Sequence, residues 1–454
     1  MSKYETRLWI NGEYANPELG KTYPLYNPAT GTHIADVPIA SEADVDKAVR
    51  AAQDAQPRWS ATPAYLRARV MRKFSDLIHE NREYLQELDS VCMGKPVCQV
   101  AEDIEEGRNI MNFFSGLVEI VHGRTSLNAS DHLNLMVRQP FGVVAAIVPW
   151  NFPTMLGIYL GQLSAEAGFP PGIVNIISGA GDTGSLLSSH MKIRKISFTG
   201  STNAGRAVMQ AAAKSNLKDV ALELGGKSPL LVFADANLEQ AATFAMKSIT
   251  TNAGQICTAS SRAYVEKPVA GKFKELLAAR FKTLNQGDPS KPDTSLGPQA
   301  DSKQAQNILR YFDIAKKDGE VLLGGKPARE FGKNFILPTI LTKIPDTSRA
   351  NMEEIFGPVL VLHEFESEEE VVHRANDTEY GLYASVFTKD INKAMRVARA
   401  LEAGSVGVNT ASPYGAYELP FGGFKASGIG RQKGSAALLA WTQEKSIFVN
   451  HGDE

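Results

Sequence analysis

From residue 143 onward, short apolar runs alternate with helical stretches: VVAAIV, IVNII, KISFTG, VALELGG and SPLLVF follow one another between Val143 and Phe233. Strands of this kind, separated by helices, belong in a parallel sheet covered on both faces. The alternation resumes after Cys257 with RAYVE, EVLLGG, ILPTILT, PVLVLHEF, YASVFT and GSVGVNT. The pattern therefore predicts an α/β fold with two such units. One interval is unusually tight. Between the run ending at Trp150 and the expected strand Ile173–Ile177 stand only NFPTMLGI, a helical run over about Tyr159–Ala167, and GFPPG. A parallel crossover takes about a dozen residues or more, so one crossover fits there and two do not.

The chain ahead of residue 143 reads as helical. Ser41 with Asp44 makes a capping-box start to a helix through about Gln56, and amphipathic stretches follow near Leu66–Glu80 and Gln99–Ile120. FESEEE (Phe365–Glu370) opens another helix, with Ser367 as N-cap and glutamates in the first turn. HLNLMVRQP (His132–Pro140) and SIFVNH (Ser446–His451) are strand-like but lie outside the alternating units. They are expected to pair with each other or with another subunit. A net charge of −2 with no basic tract argues against nucleic acid as a partner. No signal-peptide-length apolar stretch, membrane-length run or address motif stands out. Three cysteines, an odd count, point to a reducing compartment. A cytoplasmic protein with no membrane partner is the expectation.

Three residues carry candidate chemistry. Cys257, in NAGQICTASSR, has small polar neighbours such as Gly254, Gln255, Thr258 and Ser260. It is either a nucleophile open to a ligand or a small buried hydrophobe, the reading that suits Cys92 and Cys98. Glu223 ends the apolar run of VALELGGKSP, ahead of Gly225 and Gly226. A partly buried carboxyl there has a raised pKa and can act as general base; one facing water is merely a strand end. Asn151, after Trp150 and before Phe152 and Pro153, either caps its own turn or donates its amide to a developing oxyanion. FTGSTNAG (Phe198–Gly205) reads as a strand entering a helix through Gly200 and Ser201, an arrangement that suits a pyrophosphate at the helix N-terminus. The GAG at Gly179–Gly181 is too short to weigh. Eight scattered histidines without an HExxH give no metal site.

PWNFP, FTGSTNAG, LELGGKSP, GQIC, EEIFGPV and PFGGFKASGIGR occur in this order along the chain. Together they resemble the aldehyde dehydrogenase superfamily, in its NAD(P)-dependent, hydrolytic branch, over nearly the whole length. The resemblance implies a Rossmann-type cofactor domain (1–122 and 141–225), an α/β catalytic domain (226–431) and a small β oligomerisation arm (123–140 and 442–454). It implies a homodimer or homotetramer acting on a small-molecule aldehyde with NAD, NADP not excluded. Cys257 would attack the carbonyl to give a thiohemiacetal, and Asn151 with the Cys257 N–H would hold the oxyanion. After hydride transfer, Glu223 would activate the water that releases the acid from a thioester. A matched Glu223 disfavours the relatives that pass the acyl group to coenzyme A. Val148, Pro149, Trp150, Gly200, Ser201, Gly205 and Leu224 would line the cofactor site, Glu354 would bond the nicotinamide ribose, and Phe356 would pack beside the nicotinamide. Phe421 would stand at the substrate funnel, with Tyr414 and Tyr417 nearby. Two further roles stay open at this point: a cofactor-impaired homologue that binds or assembles, and a thiol esterase using Cys257 and Asn151.

The same resemblance accounts for the tight interval. In the family, the helix after PWNFP leads to a second strand ending in a Lys-Pro-x-Glu-type turn, whose lysine and glutamate hold the adenosine ribose. The resemblance implies that roughly 25 residues of that pattern are absent after Ile158, and the room left holds only one crossover of about a dozen residues or more. The expected result is a sheet without one central or near-central parallel strand, leaving apolar neighbours and backbone groups exposed.

Overall fold

The computed structural model describes residues 3–129, 131–151, 154–413 and 415–452. Phe152, Pro153 and Tyr414 thus lie outside the described residues. Apolar strands and helices alternate as the patterning predicts, and they form two main sheets. The larger has seven strands in the order Glu320–Leu323, Thr339–Thr342, Val359–Phe365, Arg262–Glu266, Pro229–Val232, Tyr383–Phe387 and Ser405–Val408. All its pairings are parallel except the first. Leu230, Val232, Phe273, Leu277, Leu360 and Phe387 close its core against two helices, Leu238–Thr250 and Lys267–Phe281. Each such buried side chain contributes about 1.5–3 kcal/mol.

The smaller sheet runs Gly428–Ile429, Asp219–Glu223, Lys195–Thr199, Val144–Ile147. Ile196, Phe198, Leu222 and Leu224 pack on Val208 of the Thr202–Lys214 helix and on Val45 and Val49 of the Glu42–Ser60 helix. That last helix starts at the expected capping box, where Ser41 and Asp44 bond each other's backbone reciprocally. His132–Pro140 pairs with Thr442–Asn450 in one unbroken antiparallel register, and Arg124–Ala129 lies on the other side. The two strand-like segments outside the alternating units therefore pair with each other within one chain.

The tight interval resolves differently from the expectation. A single helix, Thr154–Ala167, occupies it, starting earlier than the Tyr159 read from the sequence. Ile158 and Leu163 are fully buried, and the helix packs on Ala64–Glu80 and Arg82–Met93. Its Gly161 lies so close to Trp9 that a Cβ would sit 2.5 Å from the indole. Ile173–Ile177 does not form the expected strand. A strand needs a neighbour to share its hydrogen bonds, and this segment makes one bridge, Ile176 exchanging two 2.8 Å bonds with Trp9.

Nor is the vacancy central. The strands Asp219–Glu223, Lys195–Thr199 and Val144–Ile147 are contiguous and in parallel register, and Val144–Ile147 is the sheet's edge. Ala145 and Ile147 pack on the core, while Val144 is 41% exposed and Val148, just past the strand's end, 66%. An apolar strand edge without charged or covering residues is a liability that folds usually blunt. Inserting the family's strand-and-helix segment ahead of the Thr154–Ala167 helix should therefore raise the melting temperature by several degrees, since each kcal/mol gained moves it by about 2–4 °C in larger domains. Thermal melts of the two chains check this; equal midpoints would mean that the edge costs nothing.

Candidate active site

The carboxyl ends of the parallel strands in the smaller sheet open on one cleft of about 680 Å³. That is where ligands bind in open α/β sheets. Val148, Pro149 and Trp150 follow one strand, Thr199, Gly200 and Ser201 the next, and Glu223, Leu224 and Gly225 the third. Ser201 caps the Thr202–Lys214 helix, its hydroxyl accepting from the Ala204 N–H at 3.3 Å. A second helix, Gly181–Ser189, also begins on the cleft wall. Two helix N-termini give the cleft a positive end suited to phosphate oxygens.

The opposite wall carries Cys257, Gln304, Glu354 and Phe356. Ahead of the cysteine, Asn252, Ala253 and Gly254 take successive left-handed conformations, with φ of 51°, 53° and 77°. For the two non-glycine residues this costs about 1–2 kcal/mol each. Buried hydrogen bonds hold the turn in place. The Gln99 side chain accepts from Asn252 N–H at 2.8 Å, and Gln299 donates to Ala253 C=O at 3.1 Å. The fully buried Gln255 side chain donates to Asn252 C=O at 2.9 Å and accepts from Ala300 N–H at 2.9 Å. Gly254 is required by contact as well as by φ, since a Cβ there would lie 2.1 Å from the Gly357 carbonyl carbon.

This turn sets Cys257 half-buried at the cleft floor, against the Glu223 carboxyl. Burial pushes the thiol well above its ordinary value, and the carboxyls of Glu223 and Glu354 push it further. Burial also raises Glu223, opposed by hydrogen bonds to the Cys257 thiol and the Thr199 hydroxyl. Its Oε1 is buried with no partner in the protein, which marks a place for a ligand or water proton. Asn151 is buried beside them and donates one amide hydrogen to Gln255 C=O at 3.1 Å. An amide has two such donors, so the second remains for the cleft that Asn151 lines.

Glu354 is buried, its Oε1 accepting from Gly226 N–H at 3.1 Å, and burial pushes its carboxyl up to about 7. Phe356 has a φ of 57° and meets Trp150 edge to face at 5.4 Å. The Gln304 amide holds that turn, donating to Ile355 C=O at 3.2 Å and Phe356 C=O at 2.7 Å. Leu224 is on the wall, whereas Gly205 stands behind it: a Cβ on Gly205 would come 2.6 Å from a Leu224 methyl. Phe421 is half-buried outside the described cleft lining and bridges to Gln432 through its backbone. The Tyr417 hydroxyl accepts from Asn109 at 3.4 Å.

Sequence reasoning passed over Gly179, Ala180, Gly181, Gln304 and the small face Ala204, Ala207, Ala211, all of which line the cleft. The last could have been found, because residues at i, i+3 and i+7 share one helix face. Among the described residues no group of three or more His, Cys, Asp or Glu side chains is placed to hold a metal ion. Among them, too, no helix is long and apolar enough to cross a membrane.

The aldehyde dehydrogenase family pattern matches the chain in two pieces, residues 14–159 and 154–447, which meet within the Thr154–Ala167 helix. Retinaldehyde dehydrogenase 3 of Homo sapiens is 40% identical over 481 aligned positions, covering 99% of this chain and 94% of that protein. The alignment is longer than the 454-residue chain, as an internal deletion requires. Among solved structures, the indole-3-acetaldehyde dehydrogenase of P. syringae in complex with NAD+ and IAA superposes with a TM-score of 0.96 at 36% identity, covering 99% of this chain and 97% of that one. An NADP-dependent enzyme of E. coli superposes with a TM-score of 0.95 at 33% identity, covering 98% of each chain.

The coupling between thiol and carboxyl has a sign that can be measured. Because the Glu223 charge raises Cys257, Glu223→Gln should lower the thiol's titration by about one pH unit, a rough figure for removing one neighbouring charge. The pH dependence of alkylation by iodoacetamide, with Cys92 and Cys98 replaced by serine, reads this directly. An unchanged or higher midpoint would mean that the two groups do not interact.

Proposed function

Since the chain belongs to the aldehyde dehydrogenase family, we propose that Cys257, Glu223 and Asn151 carry the chemistry of this enzyme. The enzyme is an NAD(P)-dependent oxidoreductase that converts an aldehyde to a carboxylic acid. The observation that carries the assignment is that Cys257, Asn151 and the buried Glu223 carboxyl, whose Oε1 has no protein partner, line one cleft together.

The cleft fits the dinucleotide in three respects. Its volume lies within the usual range for such sites. Two helix N-termini border it, and glycines keep its walls open where a Cβ would collide, as at Gly225, 2.1 Å from Glu354 Oε2. Gly200, Ser201 and the helix behind them are the candidates to hold the diphosphate; Val148, Pro149, Trp150 and Leu224 line the channel. In this reading Glu354 would bond the nicotinamide ribose and Phe356 would pack beside the ring. Gly205 serves at one remove, by making room for Leu224. When bound, NAD supplies the hydride acceptor.

The chain's own residues do the rest. Cys257 sulfur, once its proton has passed to Glu223 or solvent, adds to the aldehyde carbon. The second Asn151 amide hydrogen and the Cys257 N–H receive the developing oxyanion, a role worth about 2.7–4 kcal/mol per donor. Loss of hydride leaves a thioester. The Glu223 carboxylate takes a proton from water, the hydroxide oxygen bonds to the acyl carbon, and the Cys257 thiolate leaves. Without cofactor, the same nucleophile and donors hydrolyse an activated ester. A role in binding or assembly alone is not favoured, since the relatives are named as dehydrogenases.

Residues 1–122 with 141–225 form the cofactor-binding unit in this reading, 226–431 the catalytic unit, and 123–140 with 442–454 the arm. The arm's strand Thr442–Asn450 leaves Phe448 72% exposed, which supports docking with a second copy as a homodimer or homotetramer. The cytosol is the proposed compartment. Phe421 and Tyr417 are proposed to sit towards the substrate entrance.

Cys257→Ala, with Cys92 and Cys98 also replaced, should abolish dehydrogenase and esterase turnover. Appreciable activity in that variant would sink the nucleophile assignment. Glu223→Gln should slow thioester hydrolysis by about 10²–10⁴ while sparing acylation. Stopped-flow absorbance should then show a burst of NADH and slow turnover; equal loss of both phases would give Glu223 another role.

A further inference from the structure

Lys227 is 1% exposed, among the most deeply buried side chains of the molecule, and it makes no ion pair within 4 Å among the described residues. An ammonium sealed from water is costly unless its donors are satisfied. Here they are aimed at one loop. Nζ donates to the carbonyls of Ala350 at 2.9 Å and Glu353 at 2.7 Å. The Glu353 carbonyl immediately precedes Glu354, Ile355 and Phe356, three residues of the cleft wall, and Ala350 stands in the short helix Arg349–Met352 that leads into them. The backbone of Lys227 is itself fixed, because Arg262 Nε donates to its carbonyl at 2.9 Å. Arg262 belongs to the strand that follows the Cys257 turn.

We infer that Lys227 is a positioning residue: its ammonium clamps the Ala350–Glu353 carbonyls so that Glu354 and Phe356 are held in the cofactor cleft against the strand end that carries Glu223. The clamp is one of three on the same loop. Gly226 N–H holds the Glu354 carboxyl and the Gln304 amide holds the Phe356 turn. Lys227 is the one that holds the main chain ahead of Glu354, through two carbonyls at once. Burial pushes its ammonium down to about 7, with Arg262 adding to the shift and the Glu354 and Glu353 carboxylates opposing it. A mere packing role would be served as well by a methionine, which has nearly the same length and no donors.

This inference rests on the reading of the cleft as the NAD site. The test is a fluorescence titration of the intact enzyme with NAD, beside cofactor-free hydrolysis of an activated ester and a thermal melt. Wild-type quenching by NAD tests the site reading by itself, and the ratio of variant to wild type tests Lys227. Lys227→Met should raise the NAD dissociation constant about tenfold or more, the scale of losing a charge-assisted bond. Ester hydrolysis should change less than threefold, since the clamp bears on the Glu354 side of the cleft. Lys227→Gln, whose amide offers two donors to the two carbonyls, should recover part of the affinity. Unchanged NAD affinity in Lys227→Met would overturn the inference. So would equal loss of NAD binding and ester hydrolysis, or failure of both variants to fold, because Lys227 would then serve the whole core. Absence of quenching in the wild type would sink the site reading and the inference together.

Discussion

The close approach of the chain at Gly225 and Gly226 to the Glu354 carboxyl and the Cys257 backbone is the constraint on which the site depends. A Cβ on Gly225 would stand 2.1 Å from the Glu354 carboxyl, and one on Gly226 would stand 2.4 Å from the Cys257 carbonyl oxygen. Both distances are far inside contact, and in the second case the obstacle is backbone that cannot swing away. The end of one strand is thereby pressed between the nucleophile segment and the Glu354 loop. The Ser427 hydroxyl closes the fourth side, donating to Gly225 C=O at 2.7 Å. Glu223, two residues earlier, inherits its position from this packing. Glu223 and Cys257, the proposed base and nucleophile, meet because glycine lets their main chains meet first.

Bringing these groups so close has an electrostatic consequence. Glu223, Glu354 and Cys257 are each raised by burial, and each of the carboxyls raises the thiol further. The resting site therefore favours the neutral forms of all three groups. For Glu354, raised to about 7, the folded state holds its proton more tightly than the unfolded chain does between about pH 4.5 and 7. Stability from this group falls as pH rises through that window and levels off above it. Strain at Asn252 and Ala253 is a further local cost: the left-handed turn is sustained by buried amides and serves to present the thiol.

Much of this was legible in the sequence, and the reason differs from part to part. The strand-to-helix turn at Thr199–Thr202 with its Ser201 cap is local chemistry, so composition and spacing suffice to read it. The alternating apolar runs became strands wherever a neighbour existed to pair with. Ile173–Ile177 has the same composition and failed, because strand formation is decided by a partner and not by the run itself. The pairing of Cys257 with Glu223 joins a turn residue to a strand end far away in sequence, and local reading left each of them with a bland alternative. Only the ordered set of motifs connected them. Gln304 was invisible for a related reason. It acts through the backbone of Phe356 across the cleft, and an exposed-looking glutamine near a helix start carries no signal of that.

The position of the deletion explains how a shortened sheet coexists with a complete catalytic floor. Val144–Ile147 is an edge strand, so removing what lay beyond it breaks no pairing among the strands that end at Thr199 and Glu223. The nucleophile turn is anchored by Gln99, Gln255 and Gln299, and the Glu354 loop by Gly226, Lys227 and Gln304. None of these bonds touches the open edge. The charged residues that line the cleft, Glu223 and Glu354, both stand at its cysteine end. The other end is walled by Gly181, Gly184, Ser185, Ala207 and Ala211, which offer room and shape but no charge. Groups that act on the reacting carbon lower the barrier after binding, whereas groups on the far part of a ligand supply binding energy. In the proposed reading a loss confined to the edge therefore falls on how tightly and how selectively the dinucleotide is held, and leaves Cys257, Glu223 and Asn151 in register.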